Sequence, residues 1–260
     1  MKRYIRIFKV LFRTSLIREM AFRSNFVVGT AVTLSWIAVY FILLEVIFLH
    51  TDFIAGWSRR DAIMLYGVWS MMDDLISWFV AGGLKNLPLV VEDGTLDRLL
   101  TKPIDSQFII SFDRFEFNRA PLLLVDIGII LYAYSLHSIS LRPIMFLAPL
   151  LVINGAMIGY SILLLFESLA FWFVRVSNIW ALYHGIADLA RYPVDIFGRV
   201  IKAVSFTVLP FAVMMMVPAQ AFLGTLSFGM VGYSILVSSF FLLISRKFYQ
   251  FAVRRYSSVA

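Results

Sequence analysis

The sequence predicts an all-α integral membrane protein with a single transmembrane domain over residues 1–260. Of its 260 residues, 61% are hydrophobic and 15% are charged, and the mean hydropathy is +0.86. A soluble domain is usually about 45–50% apolar and about 25% charged. Apolar stretches of membrane-spanning length recur along the chain, and short charged segments separate them. Cysteine is absent, which excludes a disulfide framework, a thiolate metal site and a cysteine nucleophile.

Residues 1–23 are predicted to form an amphipathic helix that lies at the membrane interface. Seven basic residues and one acid, Glu19, fall in this segment. Apolar residues such as Phe8 and Phe12 recur at helical spacing, and basic residues occupy the opposite side. This pattern is typical of a helix in the headgroup layer of an anionic leaflet. The alternative, a soluble arm that binds nucleic acid, fits poorly with the long apolar sequence that follows.

Six stretches are each close to the roughly 20 residues that a helix needs to cross the hydrocarbon. The predicted spans are at about 26–49, 62–83, 120–139, 143–173, 203–220 and 229–246. The last two come from residues 203–245, which contain no charge and are too long for one crossing. Pro218 and Gly224 mark the turn between them, which is a candidate for a short re-entrant piece. The mixed segment 175–202 is predicted to lie on the membrane surface.

The distribution of basic residues predicts the orientation. Twenty of the 23 fall in four segments, namely 1–23, 85–119, 175–202 and 246–260. Six spans place all four segments on one side, and the positive-inside rule makes that side cytoplasmic. The sequence therefore predicts a multi-pass protein of the cell (inner) membrane with both termini in the cytoplasm.

The sequence shows no catalytic cluster or metal-ligand spacing and neither of the common glycine-rich nucleotide-binding motifs. Five acids nevertheless fall within predicted spans: Glu45, near the end of the first span, and the four candidate functional acids Asp73, Asp74, Asp126 and Glu167. Such groups cost free energy unless they are paired or hydrated. One interpretation is that they form a proton or cation relay. The other is that they hydrogen-bond to neighbouring helices and have no role in transport. Passive burial is harder to explain for the adjacent Asp73 and Asp74.

Two further patterns indicate close packing and a short helix. Gly155 and Gly159, spaced four apart in the fourth span, permit close helix approach within the bundle. In the charged segment 85–119, Gly94 can break the chain path and Thr95 can cap a new helix.

That new helix is predicted to be about two turns long. Asp97 falls in its first turn, near the positive end of the helix dipole, and Pro103 disfavours helix at the preceding residue. Leu96, Leu99 and Leu100 share one face. A helix this short needs a surface to pack on, which is either its own bundle or a partner protein.

Gly94-Thr-Leu-Asp97 followed by Leu99-Leu-Thr-Lys-Pro103, after two predicted spans, resembles the membrane subunits of type-two ABC exporters. The similarity is to the permeases of roughly 260 residues that have six spans and no ATPase domain of their own. A second, weaker patch comprises Arg191-Tyr-Pro193, Pro210, Pro218-Ala219 and Leu223-Gly224. Asp73 and Asp74 match no feature of this family.

The resemblance implies that residues 95–101 are a coupling helix that docks on a cytoplasmic ABC ATPase. The implied docking residues are Gly94, Thr95, Leu96, Asp97, Leu99, Leu100 and Pro103. It also implies a second permease, identical or related, and places ATP and Mg²⁺ on the ATPase, with no cofactor on this chain.

Few charges fall in the predicted spans, which favours a hydrophobic or amphiphilic exported substrate. The alternative is a proton-coupled secondary transporter using Asp73, Asp74 or Asp126. A membrane-embedded enzyme acting on lipids is less well supported, because no catalytic cluster is recognisable.

Overall fold

The computed structural model describes residues 2–21, 23–136, 142–173 and 179–256. Short 3₁₀ turns connect several of the α-helices, and a π-helical turn, Ser77–Ala81, follows α3. The α-helices in the described ranges are α1 (Lys2–Ala21), α2 (Arg23–Phe48), α3 (Arg59–Ile76), α4 (Gly82–Leu84), α5 (Leu87–Glu92), α6 (Thr95–Leu100), α7 (Ser106–Phe112), α8 (Leu122–Ser135), α9 (Ala148–Glu167), α10 (Ile179–Ala187), α11 (Arg199–Thr207), α12 (Phe211–Phe222) and α13 (Phe228–Arg255). Two strands, β1 (Phe53–Ile54) and β2 (Trp57–Ser58), pair antiparallel between α2 and α3.

The bundle has two ends, which we name after the elements that they carry. The hairpin end carries β1 and β2, and the α6 end carries α6 with the turns on either side of it. Helix α1 packs at the α6 end, where Phe8 stacks edge-on against Phe112 and Phe12 against Phe115. Tyr256, which follows α13, contacts the ring of Phe171 at the same end. Both terminal helices therefore reach the α6 end.

The second span is longer than the predicted 62–83. A continuous helical run from Arg59 to Glu92 includes α3, the π-helical turn, α4 and α5. It starts in a capping box in which Ser58 and Asp61 bond to each other's backbone N–H groups. At its other end it continues through Lys85, so the first residues of the predicted loop 85–119 belong to this helix. The run joins the two ends of the bundle as one element.

Helix α9 lies at the centre of the bundle and packs against α3, α12 and α13. Close approach depends on Gly155, where an added Cβ would lie 2.5 Å from the Met214 carbonyl oxygen and 2.2 Å from Met72 Cε. At Gly159 an added Cβ would lie 2.3 Å from Ile76 Cδ1. Both glycines thus serve contacts inside this bundle. Helix α2, by contrast, buries only a thin stripe along one side.

The fifth crossing of the bundle lies in a different part of the chain from the predicted span 203–220. At the α6 end, Lys85 Nζ lies 5.5 Å from the centre of the Trp180 ring in α10. Trp69, in the middle of α3, donates to the carbonyl of the last residue of α10. At the hairpin end, Trp57 Nε1 donates to Asp195 Oδ2 at 3.0 Å. The described residues 179–197 therefore run from one end to the other.

Helices α11 and α12 then form a bent pair at the hairpin end, with 86° between them. Lys202 in α11 bonds Asp195 at 2.5 Å, and Arg142, before the fourth span, donates to the Gly224 carbonyl at 3.2 Å. The pair therefore begins and ends at the hairpin end. Pro210 breaks the helix between them, because proline has no N–H and restricts the preceding residue.

Two sequence predictions are wrong here, for one physical reason. The segment 175–202 does not lie along one surface in its described part, and 203–220 is not a straight crossing. Asp188, Arg191 and Asp195 lower the hydropathy of the segment that runs between the two ends, but each has a partner in the structure. Arg191 pairs with Asp188 at 3.5 Å, and Asp195 accepts from Trp57. Hydropathy cannot detect such pairing.

The remaining spans are close to their predicted positions. Helical segments Phe26–Phe48, Phe117–Ser135, Pro143–Phe171 and Phe228–Arg255 are each long and apolar enough to cross a membrane. The end of the predicted third span, 137–139, lies outside the described residues.

Candidate functional site

The helix α6 forms where the sequence predicts it, but its start is capped differently. Gly94 is the N-cap residue and has φ of 70°, a conformation that glycine adopts without a steric penalty. Thr95 is the first helical residue, and its N–H donates to Asp93 Oδ1 at 2.8 Å. That hydrogen bond lowers the pKa of Asp93 below its ordinary value. The prediction that Thr95 caps the helix is wrong, because Gly94 is the N-cap residue and Thr95 is already helical.

The three leucines of α6 have different environments. Leu96 has no exposed surface, and Leu99 is partly buried against the core of its own bundle. Leu100 remains 39% exposed. The sequence left open whether this face packs on its own bundle or on a partner, and Leu96, which the resemblance implied as a docking residue, packs on its own bundle. The helix covers its own bundle with Leu96 and Leu99, and Pro103 lies exposed beyond its end.

The turn after α6 is fixed to the last helix of the bundle. Asp105 caps α7 by accepting from the N–H of Gln107 at 2.9 Å. Arg246 in α13 donates to Asp105 Oδ2 at 2.6 Å, and Tyr249 OH donates to Ser106 Oγ at 3.1 Å. Sequence reasoning missed these anchors, because nothing in the spacing relates α7 to residues about 140 positions later.

Asp97 lies beside Tyr256, the residue that follows α13. Removal from water and the neighbouring Asp97 carboxylate raise the pKa of Tyr256. Helix α6 thus lies between the end of the second span, through α5, and the end of α13. A force applied to α6 would act on both.

A charged cluster surrounds the adjacent acids of the second span. Arg119 Nη1 lies 2.9 Å from Asp74 Oδ1 and 3.6 Å from Asp73 Oδ2. His184 Nδ1 lies 3.7 Å from Asp73 Oδ1. Asp126 is completely buried beside Asp74. The structure therefore brings together three of the four predicted acids with two partners, Arg119 and His184, that sequence reasoning missed.

The cluster lies beside a cavity of about 350 Å³ between α2, α3 and the 179–197 crossing. Asp73, Asp74 and Arg119 contribute its charged wall, and Trp36 and Trp69 contribute aromatic surface. No sequence pattern indicated this cavity, since its walls come from four separate segments.

Glu167 stands apart from the cluster. It is the last residue of α9 and is 1% exposed, and Oε1 has no hydrogen-bond partner among the described residues. Lys85, whose side chain forms an ion pair with Glu116, is the nearby opposite charge. Glu167 therefore belongs to the α6 end rather than to the cavity.

With this geometry in place, comparison with known families identifies the fold. A family model described as ABC-2 family transporter protein matches residues 34–260, which leaves out only α1 and the start of α2. The chain belongs to the ABC-2 transporter family. Comparison with curated proteins and with solved structures gave no significant match.

Family membership makes this ABC-2 protein the transmembrane permease subunit of an ABC transporter rather than an enzyme. The type-two ABC permease of about 260 residues and the all-α membrane fold that the sequence predicts are both confirmed. The apolar helices make it a multi-pass membrane protein. Because the match extends through α13, it includes both the α6 loop and the charged cavity.

Proposed function

We propose that this permease pairs with a second permease and exports a hydrophobic or amphiphilic substrate, powered by separate cytoplasmic ATPase subunits. The observation that carries the proposal is the α6 loop, which is anchored to α13 yet exposes a small mixed surface. That surface comprises Arg98, Leu100, Thr101, Lys102 and Pro103. A short anchored helix with exposed side chains suits a helix-in-groove contact with an ATPase.

The long helical run from Arg59 to Glu92 supports a coupling role for α6. Only Asp93 and Gly94 separate this run from α6, and its middle carries Asp73 and Asp74. A displacement of α6 by the ATPase would act on a helical run that reaches the charged cavity. ATP and Mg²⁺ would bind on the ATPase, and this chain would contribute no cofactor ligand.

The orientation follows from the α6 loop. If α6 meets a cytoplasmic ATPase, the α6 end is the cytoplasmic end of the bundle in the cell (inner) membrane, and both terminal helices reach that side. The basic residues of α1 and of the end of α13 lie there too, as the positive-inside rule expects, whereas Lys202 of the segment 175–202 lies at the hairpin end. The exposed side of α2 is free to meet lipid or the second permease.

Reconstitution into vesicles tests the proposal against the proton-coupled alternative, which uses Asp73, Asp74 or Asp126. We expect transport only with ATP and the ATPase present, and none when a pH gradient is imposed on the permease alone. Asp73→Asn should then lower stability or expression more than energy coupling, because Asp73 pairs with Arg119. Transport that follows the pH gradient without ATP and is abolished by Asp73→Asn would instead establish the alternative.

A further inference from the structure

The cavity beside Asp73 and Asp74 has a composition that points to the chemical class of its occupant. We propose that it binds the ammonium head group of a cationic amphiphile, which names the substrate class of the exporter and rests on the proposed function. Its volume of about 350 Å³ is in the range of small-molecule sites, about 300–1,000 Å³.

The first support is a buried carboxylate without a full set of partners. Asp74 lines the cavity and is 2% exposed, and its Oδ2 atom has no hydrogen-bond partner among the described residues. Behind it lies the fully buried Asp126, whose polar neighbours include Asp74 and Ser70. Buried carboxylates are costly unless an opposite charge compensates them. One guanidinium, that of Arg119, is shared by the adjacent carboxylates Asp73 and Asp74, and a cation beside Asp74 would supply the second positive charge.

The balance of charge decides between a cationic and an anionic ligand. Three carboxylates line the cavity, those of Asp73, Asp74 and Asp188, against two guanidinium groups and the imidazole of His184. Both guanidiniums already pair with carboxylates of this set. Each also has a buried Nε without an acceptor in the described residues. The lining nevertheless has one more carboxylate than guanidinium groups, and Asp126 lies behind Asp74, so the cavity favours a cation over an anion.

Aromatic rings supply the second half of a cation site. Trp36, Tyr66 and Trp69 line the cavity. The guanidinium of Arg191 already lies 5.6 Å from the centre of the Trp69 ring. A cation over such a ring face is attracted by its quadrupole, and quaternary ammonium groups are often recognised in this way. The carboxylates and the rings therefore favour the same kind of head group.

The position of the cavity explains why its ligand should be an amphiphile. Asp73 lies 14 residues into the Arg59–Glu92 helix, which is about 21 Å along it at 1.5 Å per residue. The cavity is thus at hydrocarbon depth. Trp36 lines the cavity and is also 68% exposed. The cavity therefore opens sideways beside α2 rather than at an end of the bundle. An alkyl tail can stay in the bilayer or along α2 while the head enters.

The test uses the purified permease in lipid nanodiscs without ATPase, with radiolabelled ligands below their critical micelle concentration and empty nanodiscs subtracted. The probes are dodecyltrimethylammonium and dodecyldimethylamine N-oxide, which share tail and shape but differ by one unit of net charge. We expect the ammonium to bind at least about tenfold more tightly to the wild type, as a desolvated charge pair requires.

Asp74→Asn should remove this preference, and Trp36→Leu should weaken ammonium binding by about threefold. Glu45→Gln is the matched control, because Glu45 lies outside the cavity and pairs with Arg59; its binding should equal that of the wild type. If Asp74→Asn does not fold, the comparison of the two probes on the wild type and on Trp36→Leu carries the test. Equal affinity of the wild type for both probes, or a preference that survives Asp74→Asn, overturns the proposal.

The failure of this proposal is distinguishable from that of the exporter function. The nanodisc measurement contains neither ATP nor ATPase, so a negative result would refute the cation site alone. ATP-dependent transport of some other substrate in vesicles would still support the exporter. Conversely, charge-selective binding without ATP-dependent transport would retain the site and refute the proposed power source.

Discussion

Leu100 provides the sharpest test of the α6 loop as an ATPase-docking element. It is 39% exposed, whereas Leu96 on the same helix is fully buried. Full burial of a leucine is worth roughly 1.5–3 kcal/mol, so covering the exposed part is worth about 0.6–1.2 kcal/mol. Leu100→Ala should therefore weaken ATPase binding by about three- to eightfold. Leu100→Asp should weaken it further, because a buried carboxylate adds a desolvation penalty.

Two control variants separate docking from folding. Leu96→Ala should lower the stability of the permease itself by about 2–5 kcal/mol, since it opens a cavity in the core. Arg98→Ala should change ATPase binding by at most about 1 kcal/mol, as is usual for an exposed charge. The assay is a titration of purified ATPase on each permease variant in nanodiscs, with a thermal melt of each variant alone. An unchanged dissociation constant for Leu100→Asp, in a permease that melts like the wild type, would refute α6 docking.

Two further predictions concern packing and topology. Gly155→Ala should lower the melting temperature in detergent by several degrees, because its Cβ would lie 2.5 Å from a backbone oxygen. Gly128→Ala, with nothing within 4 Å of the new Cβ, should leave the melting temperature nearly unchanged or raise it slightly; equal losses would contradict the packing explanation. Because the chain has no cysteine, Arg199→Cys should react with a membrane-impermeant maleimide outside intact cells, and Thr101→Cys only after permeabilisation. Labelling of both only after permeabilisation would place α11 on the cytoplasmic side and contradict the re-entrant pair.

Some features of the α6 loop could be predicted from local sequence. Gly94 and Pro103 bound the helix through backbone restrictions that do not depend on the rest of the fold. The burial of Leu96 but not Leu100 could not be predicted in this way. Periodicity places both residues on one face, but only the position of the core decides which of them it covers.

The sequence by itself determined the class of the protein, because membrane burial requires long apolar helices and leaves a strong compositional record. It also predicted four helices that are long and apolar enough to cross a membrane. Tertiary structure alone decided that residues 179–197 run between the two ends of the bundle, because the pairing of Arg191 with Asp188 and the bond from Trp57 to Asp195 offset the low hydropathy of this segment. It likewise decided the charged cavity, whose walls come from residues far apart in the chain. Composition records average polarity, whereas the cost of each buried charge depends on the groups that the fold brings beside it.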